Sequence, residues 1–386
     1  MSPLISNLPS PRPTSLRRVE VCDTLEPARL AWATLAREAP ASAYQSFAFA
    51  RAWFATIGVA EGATPLIVVA RDDAGAPVAL LPLARTRRRS MRLATFLGGK
   101  DANFNLGLFR SGRTWSASDI AELLREASRQ AGVDAFLFAN QPERWRGVSN
   151  PLAAGPRQPS PSFAYSSALP REFSAWLDAR ASKEAKKKMR KKRTRLEATA
   201  PLVHAIAADG PAIERALAAF HAQRGARAEA TGAPDPYAAP AAQDFLAELA
   251  RDGTLELHTL SHDERLIAVF GALPSGDRLS GLFIAHTSDP EIARSSPGEI
   301  MVHAVVADAI GRGFAAFDLG VGEARYKDEA CEIVEPLFDA AVAVTLKGRL
   351  AAGAFLIGRR VKRLAKQSPR LKALHARLRR LGGGRA

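Results

Sequence analysis

Apolar residues change their spacing several times along this chain, and each change marks a new element. After a start rich in Pro and Ser, apolar positions recur at helical spacing over about Pro27–Ala39 and again over Ser46–Gly58. The pattern then shortens to that of strands. Pro65–Asp72 (PLIVVARD) and Val78–Arg85 (VALLPLAR) flank the turn Asp73-Ala-Gly75-Ala and read as a hairpin. Arg92–Leu97 and Phe104–Phe109 read as two more short strands, Ser116–Gln130 as a helix, and Val133–Ala139 as a strand. Pro151, Pro156, Pro159 and Pro161 then punctuate the chain and mark a domain boundary.

The second half repeats this plan. It opens on one long basic helix, about Phe173–Thr199, followed by a strand at Leu202–Ala207 and helices at about Ala212–Gln223 and Ala241–Arg251. Thr254–Leu260 and Leu266–Leu273 form a hairpin, and Arg278–His286 a third strand. A helix opens near Ser296 and runs to Ile310, Phe314–Leu319 is a strand, and Leu337–Leu346 is expected to close the sheet. Hairpin, further strand, helix and strand thus occur twice. The order implies an internally duplicated α/β unit with a mixed sheet.

Charge refines the picture by its location. The 386-residue chain has room for two domains and a net charge of +15, of which thirteen charges lie in 347–386, a stretch with no acid. Arg180–Arg195 holds ten Lys+Arg against Glu184 alone; with no aromatic residue it does not signal base stacking, and its expected seam is Ala185, Met189 and Leu196. In the tail, Leu350, Ala354, Ile357, Val361 and Leu364 recur at helical spacing among cations, and Leu371, Leu374, Leu378 and Leu381 repeat this after Pro369. Two such helices suit an anionic membrane surface. Cys22 and Cys331 are far apart, which fits a reducing compartment. The first 18 residues read as a disordered leader without the apolar core of a signal peptide, and the longest uncharged apolar run, Leu350–Gly358, is too short to span a bilayer.

The familiar catalytic motifs are missing. There is no P-loop and no G-x-S-x-G; Gly320-Val-Gly322 lacks the third glycine of a dinucleotide loop; His258 and His262 sit on a strand and its turn, off any shared helix face. Two stretches carry the chemistry instead. In Arg294-Ser-Ser-Pro-Gly-Glu-Ile300, Ser296, Pro297 and Glu299 spell a capping box, and Gly298 offers bare backbone N–H groups at a helix N-terminus, where phosphates bind. In FDLGVGEARYKD, a strand delivers Asp318 to its carboxyl end, followed by Glu323, Tyr326 and Lys327.

The order strand, S-P-G-x-I, helix, F-D-L-G-x-G and then Y-K resembles the GNAT acetyltransferases. Within them it is most similar to the CelD/BcsL-like group of cellulose biosynthesis, related to the FemAB aminoacyltransferases, which are tandem GNAT folds. The basic segment and Phe220-His-Ala-Gln-Arg224 are similar to that group too. The resemblance implies two tandem GNAT-like domains of an α/β (α+β) mixed-sheet class, with bounds 19–160 and 170–346, and a basic helical tail over 347–386. It implies acetyl-CoA or another acyl-CoA as co-substrate and no metal, with the pyrophosphate on Ser295, Ser296, Pro297, Gly298, Glu299 and Ile300. Asp318 or Glu323 would take the proton of an amine, Tyr326 would protonate the leaving thiolate, and Lys327 would bind an anion. The expected acceptor is an amine or hydroxyl of a saccharide or cell-envelope precursor, in a cytoplasmic protein peripheral to the membrane, with no DNA partner. The rivals are a FemAB-like transferase using charged tRNA and a non-catalytic scaffold.

Overall fold

The computed structural model describes residues 18–368. Residues 1–17 of the leader therefore lie outside the described residues, as does the helix expected after Pro369, while its last residue, Arg18, opens a strand. The first half runs β1 (Arg18–Cys22), α1 (Arg29–Glu38), α2 (Phe47–Trp53), β2 (Thr64–Arg71), β3 (Pro77–Arg88), β4 (Met91–Phe96), β5 (Leu108–Phe109), α3 (Ala117–Ala131), β6 (Ala135–Pro142), β7 (Arg144–Trp145), β8 (Val148–Ser149) and β9 (Arg157–Pro159). Then follow β10 (Ala164–Ala168), α4 (Phe173–Arg180), α5 (Lys183–Glu197), β11 (Leu202–Ile206), α6 (Gly210–Thr231), α7 (Pro240–Arg251), β12 (Glu256–His262), β13 (Arg265–Ser275) and β14 (Arg278–His286). The described residues end with α8 (Pro290–Ala293), α9 (Pro297–Gly311), β15 (Ala316–Val321), α10 (Arg325–Ala330), β16 (Ile333–Glu335), β17 (Leu337–Ala343) and α11 (Leu346–Gln367).

Local chemistry sets several of these bounds. Ser116 and Asp119 form a reciprocal capping box that starts α3, and Gly132, at φ 63°, ends it in the left-handed region. The long basic helix is two helices. Ala181 is extended, and the Ser182 hydroxyl accepts the Ala185 N–H to start α5 afresh. The expected Phe104–Phe109 strand shrinks to Leu108–Phe109, because Asn105 spends its backbone and side-chain amides on Asn140 and Ala139.

Two mixed sheets result. The first has the order β1-β2-β3-β4-β6-β17-β9, with β5 on β3; the second has β11-β12-β13-β14-β15-β10-β16. Position for position they match, down to one parallel pair in each, β4 with β6 and β14 with β15. The duplication is therefore real, but each sheet takes its sixth strand from elsewhere in the chain. Leu337–Leu346 does not close the second sheet; β17 inserts between β6 and β9 of the first. Phe338 and Ala340 supply apolar side chains to the core of Phe136 and Phe138, and buried Asp339 accepts the Asn140 N–H and the Arg359 guanidinium. In exchange β10 joins the second sheet. A core cluster spans both halves, with Phe49 edge-on to Phe245 at 5.3 Å. Among the described residues, no helix is long and apolar enough to cross a membrane.

Candidate active site

The carboxyl ends of β14 and β15 form an opening in the second sheet. The strands pair only at Arg278–Ala316, Leu279–Phe317 and Ser280–Asp318. Beyond Ser280, β14 stays with β13, while β15 continues to Val321 beside β10. A bulge helps them part: Gly271 faces Phe283 and Ala272 faces Gly281, leaving Leu282 as the extra residue. Into the gap reaches Asn103, from the Gly98–Phe104 loop of the first half. Its amide donates to the Gly281 carbonyl (3.3 Å) and to the Tyr44 hydroxyl (2.6 Å), and its oxygen accepts the Val321 N–H (3.1 Å). Gly320 makes room, since a Cβ there would lie 2.2 Å from the Asn103 amide nitrogen. The sequence marks this loop as polar; it carries no sign that the loop crosses to the other sheet.

Helix α9 begins where β14 leads, but not through the expected cap. Ser296 is left-handed, at φ 55°, and its hydroxyl makes no cap bond. The hydroxyl instead accepts from Lys192 of α5 (2.9 Å), whose ammonium also donates to the Glu299 carboxylate (2.7 Å). The capping box is thus replaced by a lysine clamp, because α5 lies over the helix start and a charge-assisted bond outcompetes a neutral cap. Ser295 is fully buried and its hydroxyl has no partner among the described residues. Pro297 and Ile300 are buried; Gly298 is half-exposed and needs its missing Cβ, which would sit 2.9 Å from the His286 ring.

This helix start opens on a groove of about 810 Å³. Ser296 and Glu299 line one side, and Arg180, Lys188 and Lys192 the side built by α4 and α5. Arg227, Arg325 and Tyr326 complete it. Leu177, Lys186, Met189 and His303 are shared with an adjoining apolar chamber of about 700 Å³ whose floor includes Ile300. Met189 and Leu196 form the docking seam of α5, while Ala185 is exposed in the groove. His303, missed as a site residue although it follows the helix-start stretch closely, lies edge-on to Trp176 at 5.6 Å. Burial, only partly opposed by Glu299, lowers its pKa, so the imidazole is neutral at pH 7.

Of the four candidate catalytic residues, only Tyr326 shares this groove with Ser296 and Glu299. Burial raises its phenol pKa, with Arg227 and Arg224 opposing, so it carries a proton at neutral pH. Asp318 is fully buried and committed: its carboxylate accepts from Arg278 (2.8 Å), Ser280 (2.6 Å) and the Gly320 N–H (3.1 Å). Arg278 in turn stacks on Trp145 at 4.6 Å, so the pair fastens the two halves together. Fully buried, ion-paired and with both oxygens already accepting, such a carboxylate is placed to hold the fold and not to take a proton from an acceptor. Glu323 points away, toward the Phe163 N–H (3.4 Å) and Gln367 of α11 (3.1 Å). Burial would raise its pKa, but its hydrogen bonds and Lys366 more than offset that, and it stays below the usual value. Lys327 is buried, donates to the Val321 carbonyl (3.1 Å), and is held down to about 8 by burial, against the pull of Asp318, Cys331 and Glu323.

The family model for the "Acetyltransferase (GNAT) domain" matches residues 183–328, the segment from α5 to α10. No curated protein matches the chain. Among solved structures, that of FemX superposes with a TM-score of 0.57 at 11% identity, over 81% of this chain and 95% of that one. A conserved protein of unknown function from Bacteroides thetaiotaomicron gives 0.56 at 11%, over 84% and 100%. L-PGS from Bacillus licheniformis gives 0.50 at 10%, over 89% and 98%. At these identities the likeness is one of fold. Residues 183–328 carry the match to the acetyltransferase domain and the first sheet repeats the strand order of the second, so the chain is a transferase enzyme with a GNAT-type domain over those residues, and its fold is that of two GNAT-like units.

Proposed function

We propose that this chain moves an acyl group from acyl-CoA to an amine or hydroxyl of a saccharide or cell-envelope precursor, as a cytoplasmic enzyme of the CelD-like kind. One observation carries the donor: a helix N-terminus with the unpartnered, buried Ser295 hydroxyl beside it, opening on a groove rimmed by Arg180, Lys188, Lys192 and Arg227. The Gly298 backbone N–H, with Lys192, would hold the pyrophosphate; the N–H groups of Glu299 and Ile300, expected to share it, already donate to the Ser296 carbonyl. Glu299 is compatible because Lys192 already neutralises it. In the transfer, the acceptor nitrogen or oxygen bonds to the acyl carbon, the thioester C–S bond breaks, and the acceptor proton ends on the thiol. Tyr326, protonated and in the same groove, is the candidate donor of a proton to the leaving sulfur; His303, neutral, is the candidate to receive one from the acceptor.

The test is a titration with CoA and acetyl-CoA, followed by thermal shift, in wild type and in Lys192→Glu. Binding raises the melting temperature by mass action. The reversal should weaken CoA by about 10- to 100-fold, the worth of a charge-assisted contact. Saturable CoA binding that ignores Lys192→Glu would remove the groove from the reading. A second reading, a FemAB-like transfer from charged tRNA, draws on the cations that α5 sends along the groove. It requires RNA binding that weakens steeply with salt and no CoA shift at all.

A further inference from the structure

Helix α11 packs against the first sheet by one face only. Gly348 and Ala352 lie buried on that face, and a Cβ on Gly348 would come 1.9 Å from the Asp134 carbonyl oxygen. Further along the same face Arg359 donates to Asp339, Arg363 to the Ser160 carbonyl and Lys366 to the Ser162 hydroxyl. At about 100° per residue, Leu346, Leu350, Ile357, Val361 and Leu364 fall on the opposite side of the helix. Leu350 is 76% exposed, Ile357 65% and Val361 60%. Nothing among the described residues covers this row. The other exposed large apolar side chains outside α11 and the adjoining Val344 are scattered over several elements, so the stripe is a feature of its own.

Cations border the stripe on both sides. The same wheel puts Arg349 and Arg360 along one edge and Lys347 along the other. No acidic residue occurs from 346 to 367, and the chain after Ser368 adds six Lys+Arg and again no acid. We propose that α11 docks this protein on an anionic lipid surface, its apolar stripe entering the headgroup–acyl boundary and its bordering cations meeting lipid phosphates. An interfacial helix needs this cross-section. Its packed face is already spent on the protein, so the protein body would ride above the surface. Charge argues against other covers. A second copy laid on the stripe would bring its cationic edges against these, and the residues after 368 are as cationic as the helix they would cover. The inference does not depend on the acyl donor.

Sedimentation of the full chain with vesicles tests it, using an equimolar mixture of phosphatidylglycerol and phosphatidylcholine against phosphatidylcholine alone. Each cation near an anionic surface contributes about fivefold, so three should favour the mixed vesicles by about 100-fold at low salt. The triple variant Leu350→Gln/Ile357→Gln/Val361→Gln should lose binding by a similar factor with an unchanged melting temperature, since its targets are exposed. Lys347→Gln/Arg349→Gln/Arg360→Gln should lose the preference for the anionic lipid. Three results would overturn the proposal. The first is undiminished binding by the apolar triple, which would shift the contact to α5. The second is a wild-type dimer that the apolar triple turns into a monomer. The third is tighter vesicle binding by a chain ending at Ser368, which would make the last residues the cover of the stripe.

Discussion

Replacing Lys327 by methionine should stabilise this protein at neutral pH and destabilise it in alkali. The lysine is buried, and its folded pKa is about 8 against an ordinary 10.5. The unfolded chain therefore binds its proton more tightly than the native one. Between those two values the unfolded state holds more protons, so stability rises with pH across that window. Below pH 8 both states are charged and the full penalty applies, about 3 kcal/mol from the size of the shift. Methionine fills a similar volume without the charge but gives up the hydrogen bond to the Val321 carbonyl, about 1 kcal/mol. The variant should therefore be more stable by about 2 kcal/mol at pH 7, lose that lead as pH rises, and fall below wild type above pH 10.5. Urea unfolding of both proteins over that range measures it. A stability difference that does not vary with pH would refute the reasoning, because the burial penalty would then be absent. If the variant is also inactive, the lysine is kept for function at a cost in stability, as buried catalytic lysines are. At pH 7 roughly a tenth of it is neutral and able to accept a proton.

Three other outcomes follow from the junction of the halves. Asp318→Asn leaves Arg278 without its close counter-charge in a buried setting and should cost about 3–5 kcal/mol in urea unfolding, a loss that a purely catalytic carboxylate would not produce. Asn103→Ala leaves the Val321 N–H unpaired and should cost about 1–3 kcal/mol. Gly320→Ala should destabilise wild type more than the Asn103→Ala chain, because most of its clash is with the Asn103 amide; equal effects in the two backgrounds would remove that contact from the account.

Much of this molecule was legible before any coordinate. The hairpins at Pro65–Arg85 and Thr254–Leu273, the strand at Arg278–His286 and the helices around them announce themselves through apolar period and turn residues, which are local properties. So does the duplication, since two copies of one local order need no distant information. The helix start at Ser296–Ile300 was legible as a helix start, and the basic run Arg180–Arg195 as a charged helix. The exposed stripe of α11 follows from spacing alone once one face is known to be packed.

What spacing cannot carry is partnership between residues far apart in the chain. The sequence made Ser296 a cap; the arrival of Lys192 from α5 made it a clamp, because a charged donor 104 positions away outcompetes a backbone N–H nearby. Asp318 reads as a base until burial, Arg278 and Ser280 are seen to hold it in the junction of the halves. Glu323 reads the same way until α11 brings Gln367 to it. The exchange of β10 and β17 between sheets, and the reach of Asn103 into the gap between β14 and β15, are likewise decisions of the tertiary structure. Each is a pairing of polar groups that burial obliges to find partners, and only the folded chain fixes which partners are within reach.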